Sequence, residues 1–365
     1  MSSQHGRRLA RAAEVAGREG LAALLITPSA DLVYLTGYDP LPLPRLTCLV
    51  LRPGKDPVLV VPTLERPLAE SAGAARLAEV TDWGETEDPY ALVARVVGNG
   101  ATVGCSDRMW ASHLLSLQRS LDGAEFVPAA GVLGPLRSVK DPQELGLLRR
   151  AARAADETFR RIGQTRLEGR TERDVADQLA ELLVQMGHEK AAFTIVGSGP
   201  NAASPHHEPG GRTIQAGDAV VMDFGGRVGG YSSDMTRTVA VRQPPREFDH
   251  VYEVVTEAQD RAFRAVKPGI SAEAIDRVAR QVIEAAGFGD LFIHRTGHGI
   301  GLEVHEEPYL VAGNREPLRP GMCFSIEPGV YLPGQFGVRI EDIVTVTEDG
   351  AQRLNHAERH LQVVG

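Results

Sequence analysis

Residues 217–226 read GDAVVMDFGG, and residues 321–330 read GMCFSIEPGV. Both segments run from a glycine through a short apolar strand to an acid and then to a turn. After each segment the chain reaches a second acid at a distance typical of a hairpin. The four acids are, in chain order, Asp223, Asp234, Glu327 and Glu341. The parallel predicts two half-domains that face each other across a pseudo-symmetric site.

Some of these acids also have a purely structural interpretation. Asp223 precedes a Gly-Gly pair and is typical of a turn, and Asp234 in YSSDMTRTVAV is typical of a cap or a hairpin-end ion pair. Glu327 is harder to explain in this way, because CFSIEPG places it on an apolar strand directly before a proline. Glu341 likewise lies among isoleucines in VRIEDIVTV, and acids are rarely buried without partners.

Buried carboxylates at these four positions would repel one another and lose solvation unless cations offset their charge. Arg339 would offset one charge, whereas two divalent ions would offset all four. Carboxylate oxygens with one imidazole suit Mn²⁺ or a similar divalent ion better than a thiolate-rich zinc site would. The acids therefore predict a metal pair and require a histidine.

Residues 294–309, HRTGHGIGLEVHEEPY, are the source of that histidine. His294 and His298 are four residues apart, as on one face of a helix. The glycines around His298 disfavour a helix, however. His305-Glu306 begins like the zinc-peptidase pattern H-E-x-x-H, but a tyrosine occupies its last position, so the pattern fails. The stretch supplies a metal ligand only together with acids elsewhere in the chain.

The chain before these motifs alternates strands with helices, which predicts an α/β layer. The expected strands are LAALLIT (21–27), LTCLVLR (46–52), DPVLVVP (56–62) and TVGCS (102–106). The expected helices are ALVARVVGN (91–99), SHLLSLQRSL (112–121) and an amphipathic helix in the N-terminal segment MSSQHGRRLARAAEVAGREG, with Leu9, Ala12 and Ala16 on one side.

A domain boundary is expected near residues 135–142, which divides the chain into domains 1–138 and 139–365. Asp141 is a good N-cap, Pro142 suits the first helical position, and Glu144 completes a capping box. The second domain should contain four long helices, at about 142–163, 171–187, 247–266 and 271–286.

The 365-residue chain has the composition of a globular protein, with 42% hydrophobic and 24% charged residues. Its net charge of −9 argues against a nucleic-acid partner. Since no apolar run approaches the length of a membrane helix and the N-terminal segment lacks the apolar core of a signal peptide, we expect no membrane partner and a cytoplasmic location. Cys48, Cys105 and Cys323 are too few and too far apart for a disulfide framework, and the last two should be buried strand residues.

Four segments together resemble the pita-bread metallopeptidases, a family that includes Xaa-Pro dipeptidase (prolidase), aminopeptidase P and methionine aminopeptidase, with creatinase as a metal-free relative. They are MDFGGRVGGYSSDMTRT, HRTGHGIGLEVHEEP, FSIEPGVY and GVRIED, preceded by SGPNAASPHHEPGGR. The N-terminal LAALLITPSADLVYLTGY is similar to the creatinase-type N-terminal domain. The resemblance implies an α+β pita-bread domain preceded by a smaller α/β domain.

The resemblance also implies five ligands for two divalent ions. Asp223 would chelate one ion, Asp234 and Glu341 would bridge the pair, and His298 with Glu327 would complete the other. Mn²⁺ is the expected metal, with Co²⁺, Zn²⁺ and Fe²⁺ as alternatives.

Further roles follow from the same resemblance. Glu327 would be the catalytic proton shuttle. Arg339 would brace the neighbouring carboxylates and belong to the substrate-binding set. Three histidines would contact substrate: His206, His294 and His305. His206 and His305 would also act in catalysis. His207 competes with His206 for its role. The glycines of the GHGIG segment would allow close backbone approach and positive φ where needed.

The favoured function is hydrolysis of the Xaa-Pro bond in proline-containing dipeptides by a homodimer. Aminopeptidase P activity on longer peptides is the alternative. The N-terminal domain argues against methionine aminopeptidase. The five ligand types also argue against a metal-free amidinohydrolase of creatinase type and against a non-catalytic binding protein.

Overall fold

A computed structural model describes residues 4–98, 101–244 and 246–365. The chain divides into two compact units, Met1–Arg137 and Ser138–Gly365. The division lies inside the GPLRSVKDP segment. In the described part of the chain, no helix combines the length and the apolarity needed to cross a membrane.

The first unit contains a six-stranded mixed sheet with the strand order β4-β3-β2-β1-β5-β6. Its strands are β1 (Ala23–Ile26), β2 (Cys48–Leu51), β3 (Val58–Pro62), β4 (Glu79–Trp83), β5 (Thr102–Cys105) and β6 (Glu125–Pro128). Its helices are α1 (Gln4–Arg18), α2 (Ala30–Thr36), α3 (Arg66–Ser71), α4 (Pro89–Val97), α5 (Ala111–Ser120) and α6 (Ala130–Ser138). The central strands β1 and β2 are buried along their whole length, so their sequences are continuously apolar rather than alternating.

The predicted elements of this unit are confirmed. Each predicted strand contains one of β1, β2, β3 and β5, and the three predicted helices correspond to α1, α4 and α5. Residues 1–3 and 99 of the predicted helical stretches lie outside the described part of the chain. Cys105 lies in β5 as predicted, but it is only half-buried, so the predicted burial was wrong; Cys323 is a buried strand residue as expected.

The second unit contains four α-helices and three sheets among its described residues. The helices are α7 (Pro142–Ile162), α8 (Glu172–Gln185), α9 (Phe248–Ala265) and α10 (Ala272–Ala285). The first sheet contains β7 (Lys190–Ser198), β8 (Ala219–Val228), β9 (Tyr231–Ser232), β10 (Met235–Val241) and β18 (Val363–Val364). The second contains β11 (Gly297–Gly299), β12 (Glu306–Leu310), β13 (Cys323–Ile326), β16 (Asp342–Val346) and β17 (Ala351–Arg353). The third is the hairpin of β14 (Gly329–Leu332) and β15 (Phe336–Arg339).

Local sequence chemistry accounts for the helix starts. Asp141 and Glu144 form the predicted capping box of α7, with Pro142 in its first turn. Thr171 and Asp174 form a second capping box at the start of α8. The four long helices lie within one or two residues of their predicted bounds, so this prediction is confirmed.

The two half-domain segments form corresponding strand pairs. β8 pairs with β10, and β13 pairs with β16, both antiparallel. Gly217 and Gly321 precede β8 and β13 with φ of 94° and 88°, a conformation that favours glycine. One detail differs from expectation: Asp223 does not end its strand, because β8 continues to Val228 through the Gly-Gly pair. The turn interpretation of Asp223 was therefore wrong.

Candidate metal centre

A cavity of about 730 Å³ in the second unit collects all nine predicted site residues. They are His206, Asp223, Asp234, His294, His298, His305, Glu327, Arg339 and Glu341. Residues from four separate segments therefore meet at one place, as the pseudo-symmetric arrangement predicts.

Three of the nine form a tight group of metal-ligating atoms. One donor atom from each of Asp234, His298 and Glu341 lies within 4.8 Å of the others, and all three residues are buried. Asp234 directly precedes β10, and Glu341 directly precedes β16, so each lies at the start of the second strand of its pair. His298 lies in the middle of the short strand β11.

Neighbouring main-chain atoms fix the orientation of His298. Its Nδ1 donates to the carbonyl oxygen of Gly299 at 3.1 Å, since a carbonyl can only accept. The other ring nitrogen, Nε2, lies 3.5 Å from Oδ2 of Asp234 and 3.2 Å from Oε1 of Glu327. This nitrogen and the two carboxylates form a group of donors around which a cation would be held.

The glycines on either side of His298 are required by packing. A Cβ on Gly297 would lie 1.9 Å from the carbonyl oxygen of Ser325, and one on Gly299 would lie 2.2 Å from that of Glu307. The close backbone approach expected of this segment is present. Neither Gly297 nor Gly299 has a positive φ, so the expected left-handed conformation is not found at these two glycines.

Arg339 connects Asp223 to the rest of the cavity wall. Its Nη2 donates to Oδ2 of Asp223 at 2.6 Å, and its Nη1 donates to the hydroxyl of Tyr331 at 2.8 Å. Its Nε donates to Oγ1 of Thr236, whose hydroxyl donates in turn to Oε2 of Glu341 at 2.6 Å. The guanidinium thus lies at the centre of a network that reaches two of the predicted ligands.

The buried acids are short of positive charge. Burial, followed by the charges of Glu341 and Asp223, raises the pKa of Asp234 well above its usual range. Burial and the charges of Glu327 and Asp223 raise the pKa of Glu341 in the same way. Oδ1 of Asp223 and Oε1 of Glu341 are buried without a hydrogen-bond partner.

Glu327 behaves differently from the other acids. Burial alone would raise its pKa, but the hydrogen bond and charge of His298 lower it to about 2. Its side chain retains 15% exposure to the cavity. A carboxylate with these properties is ionised and accessible to a molecule in the cavity.

The donor set fits divalent cations. Four carboxylates, two of them with an unpartnered buried oxygen, line the same cavity as one imidazole, whose Nε2 faces the carboxylates of Asp234 and Glu327. Hard oxygen ligands with a single nitrogen suit divalent ions of the Mn²⁺ type, and bound cations would supply the positive charge that Arg339 alone does not.

The structure separates the adjacent histidines of the SPHH segment. His206 lines the cavity, whereas Nε2 of His207 lies 2.8 Å from Oε2 of the buried Glu172. The sequence favoured His206 over His207 for the site role, and that assignment stays a prediction.

The remaining two histidines have distinct surroundings. Nδ1 of His294 donates to the carbonyl oxygen of Arg295, and its Nε2 accepts from the hydroxyl of Tyr331 at 2.8 Å. The ring of His305 lies 4.1 Å from that of His298, between centroids. Burial, followed by the charge of His298, lowers the pKa of His305 to about 4, so its imidazole is neutral near pH 7.

Several site residues were missed by the sequence analysis. Tyr331 and Thr236 bridge the network described above, and Arg295 lines the cavity with its guanidinium over the ring of Tyr309. His188 lies before β7, and its Nε2 lies 2.8 Å from Oγ of Ser233, the neighbour of Asp234. Tyr331 is the last residue of the FSIEPGVY motif, so that motif could have identified it. His188 lies in no local pattern that could have identified it.

The two units match two known domain families. Residues 8–139 match the creatinase/prolidase N-terminal domain, and residues 146–348 match metallopeptidase family M24. The chain belongs to metallopeptidase family M24. The predicted family resemblance and fold class are thereby confirmed, and the chain is a peptidase of a family that implies divalent metal ions.

Full-length relatives support this membership. The chain is 48% identical to the probable dipeptidase PepE of Mycobacterium tuberculosis, over 99% of this chain and 96% of the relative. It is 39% identical to an Xaa-Pro dipeptidase of Lactobacillus helveticus, over 91% of this chain and 92% of the relative. The crystal structure of dipeptidase PepE from Mycobacterium ulcerans superimposes with a TM-score of 0.96 at 46% identity, covering 99% of this chain and 98% of that one.

Proposed function

We propose that this M24 family member hydrolyses the Xaa-Pro bond of dipeptides. The observation that carries the proposal is the group of Asp234, His298 and Glu341, whose ligand atoms lie within 4.8 Å of one another in a cavity lined by further histidines. The Lactobacillus helveticus relative is named Xaa-Pro dipeptidase, and the mycobacterial relative is named a probable dipeptidase. Both names point to the same substrate length.

We propose that the metal ligands are the five predicted ones: Asp223, Asp234, His298, Glu327 and Glu341. Two divalent ions, with Mn²⁺ as the first candidate, would polarise a scissile carbonyl and lower the pKa of water at this site. Asp223 is already held by Arg339 at 2.6 Å, so the arginine orients this carboxylate without occupying its second oxygen.

The protein's own groups account for proton transfer and for charge stabilisation. Glu327, a partly exposed carboxylate of the cavity wall, accepts a proton from water and returns it to the leaving nitrogen. His206 and His305 line the cavity as donors for a developing oxyanion. Both ring nitrogens of His294 are in hydrogen bonds, to Arg295 and Tyr331, so this histidine contacts the substrate through its ring, as part of the cavity wall.

The test compares hydrolysis of Ala-Pro and Ala-Pro-Ala by chelated protein before and after Mn²⁺ is returned. We expect metal-dependent cleavage of Ala-Pro and little cleavage of the tripeptide. Preference for Ala-Pro-Ala would favour aminopeptidase P activity instead. Activity that survives complete metal removal would contradict the metal assignment, and no cleavage of either peptide with Mn²⁺ present would contradict the peptidase proposal. The homodimer and the cytoplasmic location stay predictions.

A further inference from the structure

A buried carboxylate anchors the loop that carries His206. Glu172, the first residue of α8, is completely buried. It accepts hydrogen bonds from donors spread over residues 198–210: Ser198 N at 2.8 Å, Ser198 Oγ at 2.7 Å, Asn201 Nδ2 at 3.0 Å, His207 Nε2 at 2.8 Å and Gly210 N at 3.4 Å. Burial alone would raise the pKa of Glu172, but these donors lower it, so the group is a carboxylate. One side chain therefore holds both ends and the middle of the loop.

The loop is held on both sides of His206. The carbonyl oxygen of Pro205 accepts from Nη1 of Arg339 at 3.3 Å. On the other side, Nε2 of His207 donates to Glu172, since an ionised carboxylate can only accept. His206 lies between these two attachments and lines the cavity. Its side chain has no hydrogen bond to a described residue, so its position depends on the neighbours of its backbone.

We propose that Glu172 is a positioning residue that holds His206 in the cavity through His207. The inference rests on the proposed peptidase function. A loop that moved would leave the buried charge of Glu172 short of donors, which disfavours other loop positions. Because a misplacement of about 1 Å can cost about 100-fold in rate, an anchor outside the cavity controls catalysis without touching substrate.

The decisive variants are His207→Gln and His207→Asn. The amide nitrogen of a glutamine side chain reaches the position of imidazole Nε2. The asparagine side chain is one methylene shorter, so its amide nitrogen does not reach Glu172. We expect His207→Asn to lower kcat/KM for Ala-Pro by about tenfold or more, with His207→Gln restoring it to within about threefold of the wild type. His207 is used because variants of the completely buried Glu172 can fail to fold. His360→Asn, at an exposed histidine of the same unit, is the matched control and should leave kcat/KM unchanged.

A double variant separates positioning from general loss of structure. If His207 acts through His206, His207→Asn should have little further effect on kcat/KM in a His206→Ala background. Full additivity of the two changes would overturn the proposal. So would wild-type kcat/KM in folded His207→Asn protein.

Hydrogen exchange provides a readout that does not depend on activity. Peptides covering residues 198–210 should exchange faster in His207→Asn than in the wild type, and His207→Gln should restore the wild-type rate. Unchanged exchange in His207→Asn would overturn the proposal. If the wild-type protein cleaved neither Ala-Pro nor Ala-Pro-Ala, the proposed function would be contradicted. The hydrogen-exchange comparison would still decide whether Glu172 and His207 hold the loop.

Discussion

At the scale of single residues, Glu341 shows the stability cost of the proposed metal site. It is 1% exposed, lies among other acids, and has one oxygen without a partner. Ionised Glu341 therefore destabilises the metal-free protein, whereas a cation bound by Glu341 would reverse the sign of its contribution to stability.

Glu341→Gln should consequently change the metal-free and metal-loaded proteins in opposite directions. Without metal, removing this charge should stabilise the fold by about 1 kcal/mol or more, which corresponds to about 2–4 °C in Tm. With metal, loss of a predicted bridging ligand should lower metal affinity and kcat/KM by at least about 100-fold. Thermal unfolding with and without Mn²⁺, together with metal analysis, measures both effects.

Glu348→Gln is the matched control, since this acid of the same unit is exposed and lies outside the cavity. Its Tm and metal content should equal those of the wild type. Full metal content and normal turnover in Glu341→Gln would refute the bridging assignment.

At the scale of elements, predictions succeeded where the signal was local. The start of α7 follows from a capping box within four residues, and the strand before Glu327 follows from its apolar run. The extension of β8 beyond Asp223 was not predictable, because Gly-Gly is a turn signal that pairing with neighbouring strands overrides. The partners of Arg339 were only partly predictable, because most of the residues that it contacts lie far away in sequence and are brought close to it only by the tertiary structure.

His188, between α8 and β7, joins these elements to the turn before β10 and should make stability pH-dependent. Burial lowers the pKa of His188 below the usual 6.5. As pH falls through 6.5, His188 is therefore protonated in the unfolded chain while it is still neutral in the folded chain. Stability should therefore decrease below pH 6.5, by at most about 1.4 kcal/mol per pH unit from this residue. Urea unfolding of chelated His188→Gln protein between pH 7 and pH 5 should give a shallower decrease than that of the wild type.

The control for this experiment is again His360→Asn, which should retain the wild-type slope. Equal slopes in His188→Gln and the wild type would mean that His188 takes up its proton equally in both states.

At the scale of the whole molecule, the predicted ligands lie far apart in sequence and all belong to the second unit. The first of them, Asp223, lies in the first half-domain segment, and the last, Glu341, follows the second. Because the unfolded chain does not assemble these residues, the free energy of metal binding would add directly to the stability of the second unit.

Divalent metal should therefore protect one unit and not the other. At about 100 times the dissociation constant, Mn²⁺ should add about 2.7 kcal/mol to the stability of the second unit, or about 5–10 °C in Tm. Hydrogen exchange resolved by peptide locates the effect: peptides from β8, β10, β13 and β16 should slow on metal addition, because exchange from these strands requires opening of the ligand set. Peptides from β1, β2 and β3 serve as the internal control, since the first unit contains none of the five ligands. Equal slowing in both sets, or none in the second unit, would show that the carboxylates do not hold metal in the folded chain.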